Sequence, residues 1–215
     1  MWNPTEATTG LTDAAELLGD VRELAVQLGP PPQLGIAGLA PTWASVDSIP
    51  ALRQLVERYT TETLSTREWP VILRAWEFTR SGKARELVAL DREWGSTTRG
   101  ATFAEASFRV GRRQLNKLRG LRHERVIARY LAAIETGEAF GWHPIVFGVV
   151  LAVYHVPLRS GLMQFATNTL AGLVSAAERE GRLPARDCQE VLDMAMSILP
   201  TQLPSLPPIK VCAVD

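Results

Sequence analysis

Apolar residues return at steps of three and four along most of this chain, and each such run closes on a glycine, a proline or a short polar turn. The first run, Ala14, Leu17, Leu18, Val21, Leu24, Ala25 and Leu28, follows a capping pair Thr12-Asp13 and predicts a helix to about Leu28. Gly29-Pro30-Pro31-Pro32 breaks it, and the stretch to Ile49 has no period. Pro50 opens a second helix with Leu52, Leu55, Val56, Tyr59 and Thr63 inward. Glu68-Trp69-Pro70 predicts a break before a third carrying Val71, Ile72, Ala75 and Trp76, which Ser81-Gly82 ends. Ala84, Leu87, Val88, Asp91 and Trp94 predict a shorter helix, and Gly95 to Gly100 a polar turn. From Phe103 to Leu118 a narrow seam of Ala104, Phe108, Gly111, Leu115 and Leu118 fits a helical neighbour. The next helix, with Val126, Ile127, Tyr130, Leu131 and Ile134, ends at Gly137.

The stretch from Gly137 to Leu192 holds the longest apolar pattern. Trp142-His143-Pro144 starts a helix, with proline in the first turn where its missing N–H costs nothing. Ile145 to Tyr154 is apolar on every face, which predicts a core helix surrounded by others, and it is too short to span a bilayer. Gly148 and Ala152 offer a neighbour close approach. After Val156-Pro157, the residues Leu162, Phe165, Ala166, Thr169, Leu170, Leu173, Val174 and Ala177 form one face of a long helix. Gln164, Asn168, Ser175 and Arg179 lie opposite. Gly181 stops it, and Leu183–Leu199 opens at Pro184 with Val191, Leu192, Ala195 and Ile198 inward. The pattern thus predicts an all-α, single-domain bundle of about eight to ten helices. It divides into an N-terminal helix (1–28), a Pro/Gly-rich loop (29–49), a helical core (50–199) and a Pro-rich tail (200–215).

Composition narrows the function without choosing one. The chain has 215 residues, 46% of them apolar and 21% charged, which is ordinary for one globular core. Lys plus Arg and Asp plus Glu are both 23, so no global field draws it to nucleic acid or membrane. Cys188 and Cys212 make no disulfide framework, and the start lacks the basic and apolar regions of a signal peptide. A reducing cytoplasm is the expected setting. His123, His143 and His155 have no close spacing to one another or to a cysteine, so no metal site is read, and no cofactor is expected. There is no phosphate loop, no Gly-x-Ser-x-Gly elbow and no His-Glu-x-x-His, and Glu178 and Glu180 cannot share a helix face. The expectation is a protein that is not an enzyme. One local charge concentration remains: Arg109, Arg112, Arg113, Lys117, Arg119, Arg122, Arg125 and Arg129. It lacks interleaved aromatic residues, so a solvated or salt-bridged face is the first reading. An acidic protein partner comes next, and nucleic acid after it.

His143-Pro144-Ile145-Val146-Phe147-Gly148, then Leu173-Val174-Ser175-Ala176-Ala177 with Arg179, then Asp187, Gln189, Val191 and Leu192, resembles the urease accessory protein family UreF. Members carry "HPVVFG", "NLVxAAVR" and "PLGQTDGQ" at similar spacing. Upstream, Glu105-Ala106-Ser107-Phe108-Arg109-Val110-Gly111-Arg112-Arg113-Gln114-Leu115 is similar to the family's "EASxxMGRRLL" helix. Gly172 stands where the family usually has Asn, and Pro184-Ala185 replaces a Gly-Gln. Pro32-Gln33-Leu34-Gly35-Ile36-Ala37-Gly38-Leu39 occupies the place of "GGFxHSxGLE", without its Ser, His and Glu. The family's Arg- and Phe-containing C-terminal tail is replaced by Pro204-Ser205-Leu206-Pro207-Pro208-Ile209-Lys210-Val211-Cys212.

The resemblance implies an accessory factor in nickel delivery to urease. Such a protein forms a homodimer, binds UreD (also called UreH), and with it recruits the GTPase UreG to the urease apoprotein. Arg112, Arg113, His143 and Arg179 are then expected at partner surfaces or in their support, with His143 as a helix cap. Gly35 and Gly38 join them by location. The reading of another class is a helical binder of nucleic acid or an acidic ligand, using Arg109–Arg129.

Overall fold

A computed structural model describes residues 46–98, 104–181 and 183–203. The N-terminal helix expected before Leu28, most of the loop that follows it, and the tail beyond Leu203 lie outside these residues, as do Gly35, Gly38 and Cys212. The described residues are all-α, with no strand among them. The helices are α1 (Ile49–Arg58), α2 (Trp69–Arg80), α3 (Ala84–Thr98), α4 (Ala104–Leu118), α5 (Arg125–Glu135), α6 (His143–Val153), α7 (Leu158–Gly181) and α8 (Ala185–Gln202). A 3-10 turn, Arg119–Leu121, follows α4.

Two expected boundaries are corrected. Pro70 does not break the chain, because a π-helical segment, Tyr59–Glu68, joins α1 to α2 in one rod. Its wider turn sends the Trp69 N–H to the Leu64 carbonyl five residues back. Hydroxyls take up carbonyls four residues back: Thr60 donates to Val56, Thr61 to Glu57, Ser65 to Thr61 and Thr66 to Glu62. The chain passes Pro70 within a helix whose hydrogen bonding is already altered. Fused in this way, the described helices make seven rods, fewer than the eight to ten expected. The second correction concerns Gly95, which lies inside α3 and not in a polar turn. A Cβ there would stand 2.9 Å from Trp142 Nε1, so this glycine is a seat for a tryptophan. Ser96 and Thr97 remain helical by donating to the Glu93 and Trp94 carbonyls. At the other end of the chain, α8 runs past Leu199 through Pro200 to Gln202.

Helix α6 is the centre of the bundle. Every residue from His143 to Ala152 is buried, as its all-round apolar pattern requires. Side chains such as Ile145, Phe147 and Leu151 each contribute about 1.5–3 kcal/mol by leaving water. A Cβ on Gly148 would stand 2.5 Å from the Ile72 carbonyl oxygen, so α2 lies directly against α6. On another side Phe165 of α7 meets Phe147 with ring centroids 5.2 Å apart. α8 packs on α7 and α1, and α3 on α2 and α5. No helix among the described residues is long and apolar enough to cross a membrane.

Candidate functional site

The N-terminal end of α6 is where two of the resembling motifs, those of α4 and α6, meet. Gly141, at φ +75°, turns the chain into Trp142, the extended N-cap residue, and His143-Pro144 form the first turn. Gly111 of α4 faces this turn, and a Cβ added there would lie 1.9 Å from the Gly141 carbonyl oxygen and 2.8 Å from the His143 nitrogen. Only glycine permits that contact, so the Gly-Arg-Arg of α4 is placed by its glycine. The His143 N–H donates to Ser107 Oγ of the same helix at 3.3 Å.

Asp91 of α3 holds the turn from beneath. This fully buried carboxylate accepts from the Phe140 N–H (2.5 Å), the Gly141 N–H (3.0 Å), the Trp142 N–H (3.3 Å) and the Tyr130 hydroxyl (2.6 Å). Burial raises its pKa above the usual carboxylate range, and the hydroxyl and three amides pull it back. The Tyr130 hydroxyl is pushed well up by burial and by the neighbouring anion. Asp91 stands in the sequence among the Ala84, Leu87, Val88 and Trp94 repeat that predicts this helix, and an acid within an apolar repeat is the signal that could have marked a buried acceptor.

The expected role of His143 as a cap is corrected by its position. Trp142 is the N-cap residue, its own side chain makes no capping bond, and the free His143 N–H goes to Ser107 of α4. The His143 ring stacks on Phe165 at 5.1 Å and 17° and lies 6.0 Å from Phe147. Its Nε2 is buried without a hydrogen-bond partner. Burial lowers its pKa to about 3, so the ring is neutral at pH 7.

The arginines stand outside. Arg112 is exposed, with its guanidinium 4.7 Å from the Phe108 ring centre, and Phe108 meets Trp142 edge-on at 6.1 Å. A continuous contact path thus runs from solvent to the turn that begins α6. Arg113 is exposed beside it. Arg179 is exposed near the end of α7, and no hydrogen bond or ion pair joins it to Arg112 or Arg113. Between α4 and α5 a groove of about 390 Å³ is lined by Arg112, Asn116, Arg119, Leu131 and Ile134, with Glu135 pairing outward to Arg122. Among the described residues no three His, Cys, Asp or Glu side chains converge in a way that could hold a metal ion.

The sequence did not show a second, half-buried acid, Glu68. Tyr59 donates to Glu68 Oε2 at 2.5 Å across the π segment, and burial raises the Glu68 pKa to about 7. Both residues were legible, but the turn that brings them together was not.

The UreF family model matches residues 46–195, from the first described residue through most of α8. The chain belongs to the UreF family. Its function is accordingly that of a urease accessory protein. No curated protein matches the chain.

Proposed function

We propose that this protein acts in urease maturation as a docking factor without chemistry of its own. It binds UreD (UreH) and with it recruits UreG, whose GTPase cycle it modulates while nickel enters the urease apoprotein. It works as a homodimer in the cytoplasm. The observation that supports this reading is the family match over the helical body that carries exposed Arg113 and, over the Phe108–Trp142 ring pair, Arg112. A protein of this kind acts only by binding one conformation of its partner better than another. Arg112, Arg113 and Arg179 are the contact residues in this reading, His143 supports them, and Gly35 and Gly38 contribute from the N-terminal segment.

The test is reconstitution. Urease subunits, UreD and UreG are co-expressed with this chain as the only UreF-type protein, and urease activity, bound nickel and co-purification are measured. Activation together with a complex containing UreD and UreG is the expected result. No UreD binding and no activation, where another UreF restores both, overturns the proposal. The nucleic-acid reading rests on the exposed arginines of α4 and α5 alone, and salt-sensitive binding to a duplex with no affinity for UreD would favour it.

A further inference from the structure

A second groove, distinct from the one beside Arg112, runs between α3 and α5 with a volume of about 470 Å³. Its floor is small and apolar: Ala84, Val88, Ala89, Ala132 and Ala133. Arg85 and Arg92 line one wall and Arg129 the other, and Glu138 is the one carboxylate among the lining residues. None of the three arginines is in an ion pair with a described carboxylate. In a chain of zero net charge, three unpaired guanidinium groups around an apolar floor call for an acidic, apolar occupant.

The same chain contains one. Asp13, Glu16, Asp20 and Glu23 step by three, four and three, which on a helix draws one acidic stripe beside the apolar stripe of Leu17, Val21 and Leu24. Asp13 and Asp20 are seven residues apart, as are Glu16 and Glu23, and as are Arg85 and Arg92. At 1.5 Å per residue all three pairs span roughly 10 Å. We propose that Asp13–Leu28 seats as a helix on the α3–α5 groove, its carboxylates against Arg85, Arg92 and Arg129 and its apolar edge on the alanine floor. The stretch from Gly29 to Ser45 spans roughly 20 Å even when loosely coiled, more than the radius of gyration of about 15 Å of a domain this size. Tethering raises the local concentration of the segment to the millimolar range, above that of any free acidic protein. A third groove, between α1 and α8, is more apolar, with Met194 and Ile198 exposed, but its Arg53 is offset by Glu57 and it gives the acidic stripe nothing to pair with.

Hydrogen exchange on the full chain tests this, with the amides of α6 as the internal reference for an intact fold. In the wild type, residues 13–28 exchange at least about tenfold more slowly than in R85E/R92E/R129E, and the milder R85Q/R92Q falls between. Protection falls with added salt and returns when D13R/D20R is combined with R85E/R92E. The proposal is overturned if residues 13–28 are unprotected in the wild type, or if the groove variants leave their exchange unchanged. Protection that rises with protein concentration assigns the groove to a second copy and also overturns it. So does protection lost in M194E/I198E but kept in R85E/R92E/R129E, which assigns the segment to the α1–α8 groove.

Discussion

The Asp91–Tyr130 and Glu68–Tyr59 pairs, both among the described residues, are built in opposite ways. Asp91 meets Tyr130 and three backbone amides, so a buried anion is surrounded by donors that cannot turn away. Glu68 meets Tyr59 with no backbone amide bound to it, and its pKa of about 7 makes it a group that shares its proton near neutrality. Donor number separates a structural rivet from a titrating one. The rivet fixes the turn under the arginine-bearing helix, and the titrating pair spans the π segment.

The largest effect expected from breaking this contrast is that of Asp91→Ala, which strands three amides and a hydroxyl. Urea unfolding should show a loss of about 3–5 kcal/mol. Glu68→Ala should cost only about 1–2 kcal/mol, the value of one hydrogen bond to a neutral or half-charged group. Comparable losses for the two variants would remove the distinction. Gly111→Ala attacks the same turn from α4 and should cost about 3 kcal/mol, since a backbone carbonyl must retreat. Gly120→Ala, where nothing lies within 4 Å of the new Cβ, should be neutral or gain about 0.5 kcal/mol.

Dependence on pH sharpens the comparison. Glu68 keeps in the folded state a proton that the unfolded chain loses above about 4.5, so its contribution is fully present below that pH and is lost as pH rises toward about 7. His143 has the opposite sign: the unfolded ring takes a proton below 6.5 that the folded ring refuses until about 3, so stability is lost as pH falls through that window. Between about 4.5 and 6.5 the two slopes, each about 1.4 kcal/mol per pH unit at most, oppose each other. Glu68→Gln should therefore make the protein lose stability toward acid across this window. His143→Phe should make it gain. Denaturant midpoints at pH 5, 6 and 7 decide, and a flat profile for both variants would contradict the assignments. The smallest effect on stability is expected from Arg112→Ala, within about 1 kcal/mol, because the side chain is exposed and only its aromatic stacking is lost. Under the proposed function its effect falls on partner binding, read as weaker co-purification with UreD and UreG.

The sequence made the core legible because burial leaves a periodic trace. Ile145 to Tyr154, apolar all round, could only be a central helix, and Gly148 read correctly as a place of close approach. Pro70 misled because proline's local rule assumes an α-helical turn, while a threonine-rich π segment changes the hydrogen bonding around it. Gly95 misled for a related reason: a glycine followed by Ser96 and Thr97 looks like a turn until a tryptophan from a distant segment is found on top of it. His143 was visible as a motif residue, yet whether it faced solvent or Phe165 depended on a helix that begins more than ten residues later. Arginines on an exposed face are easily found and poorly interpreted, because exposure itself leaves no record of what will cover it.

The contact of Gly111 with Gly141 has a mechanical corollary. Two backbones that touch with no intervening side chain have no soft spacer to absorb displacement, so α4 cannot slide by an ångström without carrying the start of α6 along. A protein that pulls on Arg112 therefore leans on the whole interior, and its grip should be felt as a change in how tightly the centre of the bundle is held.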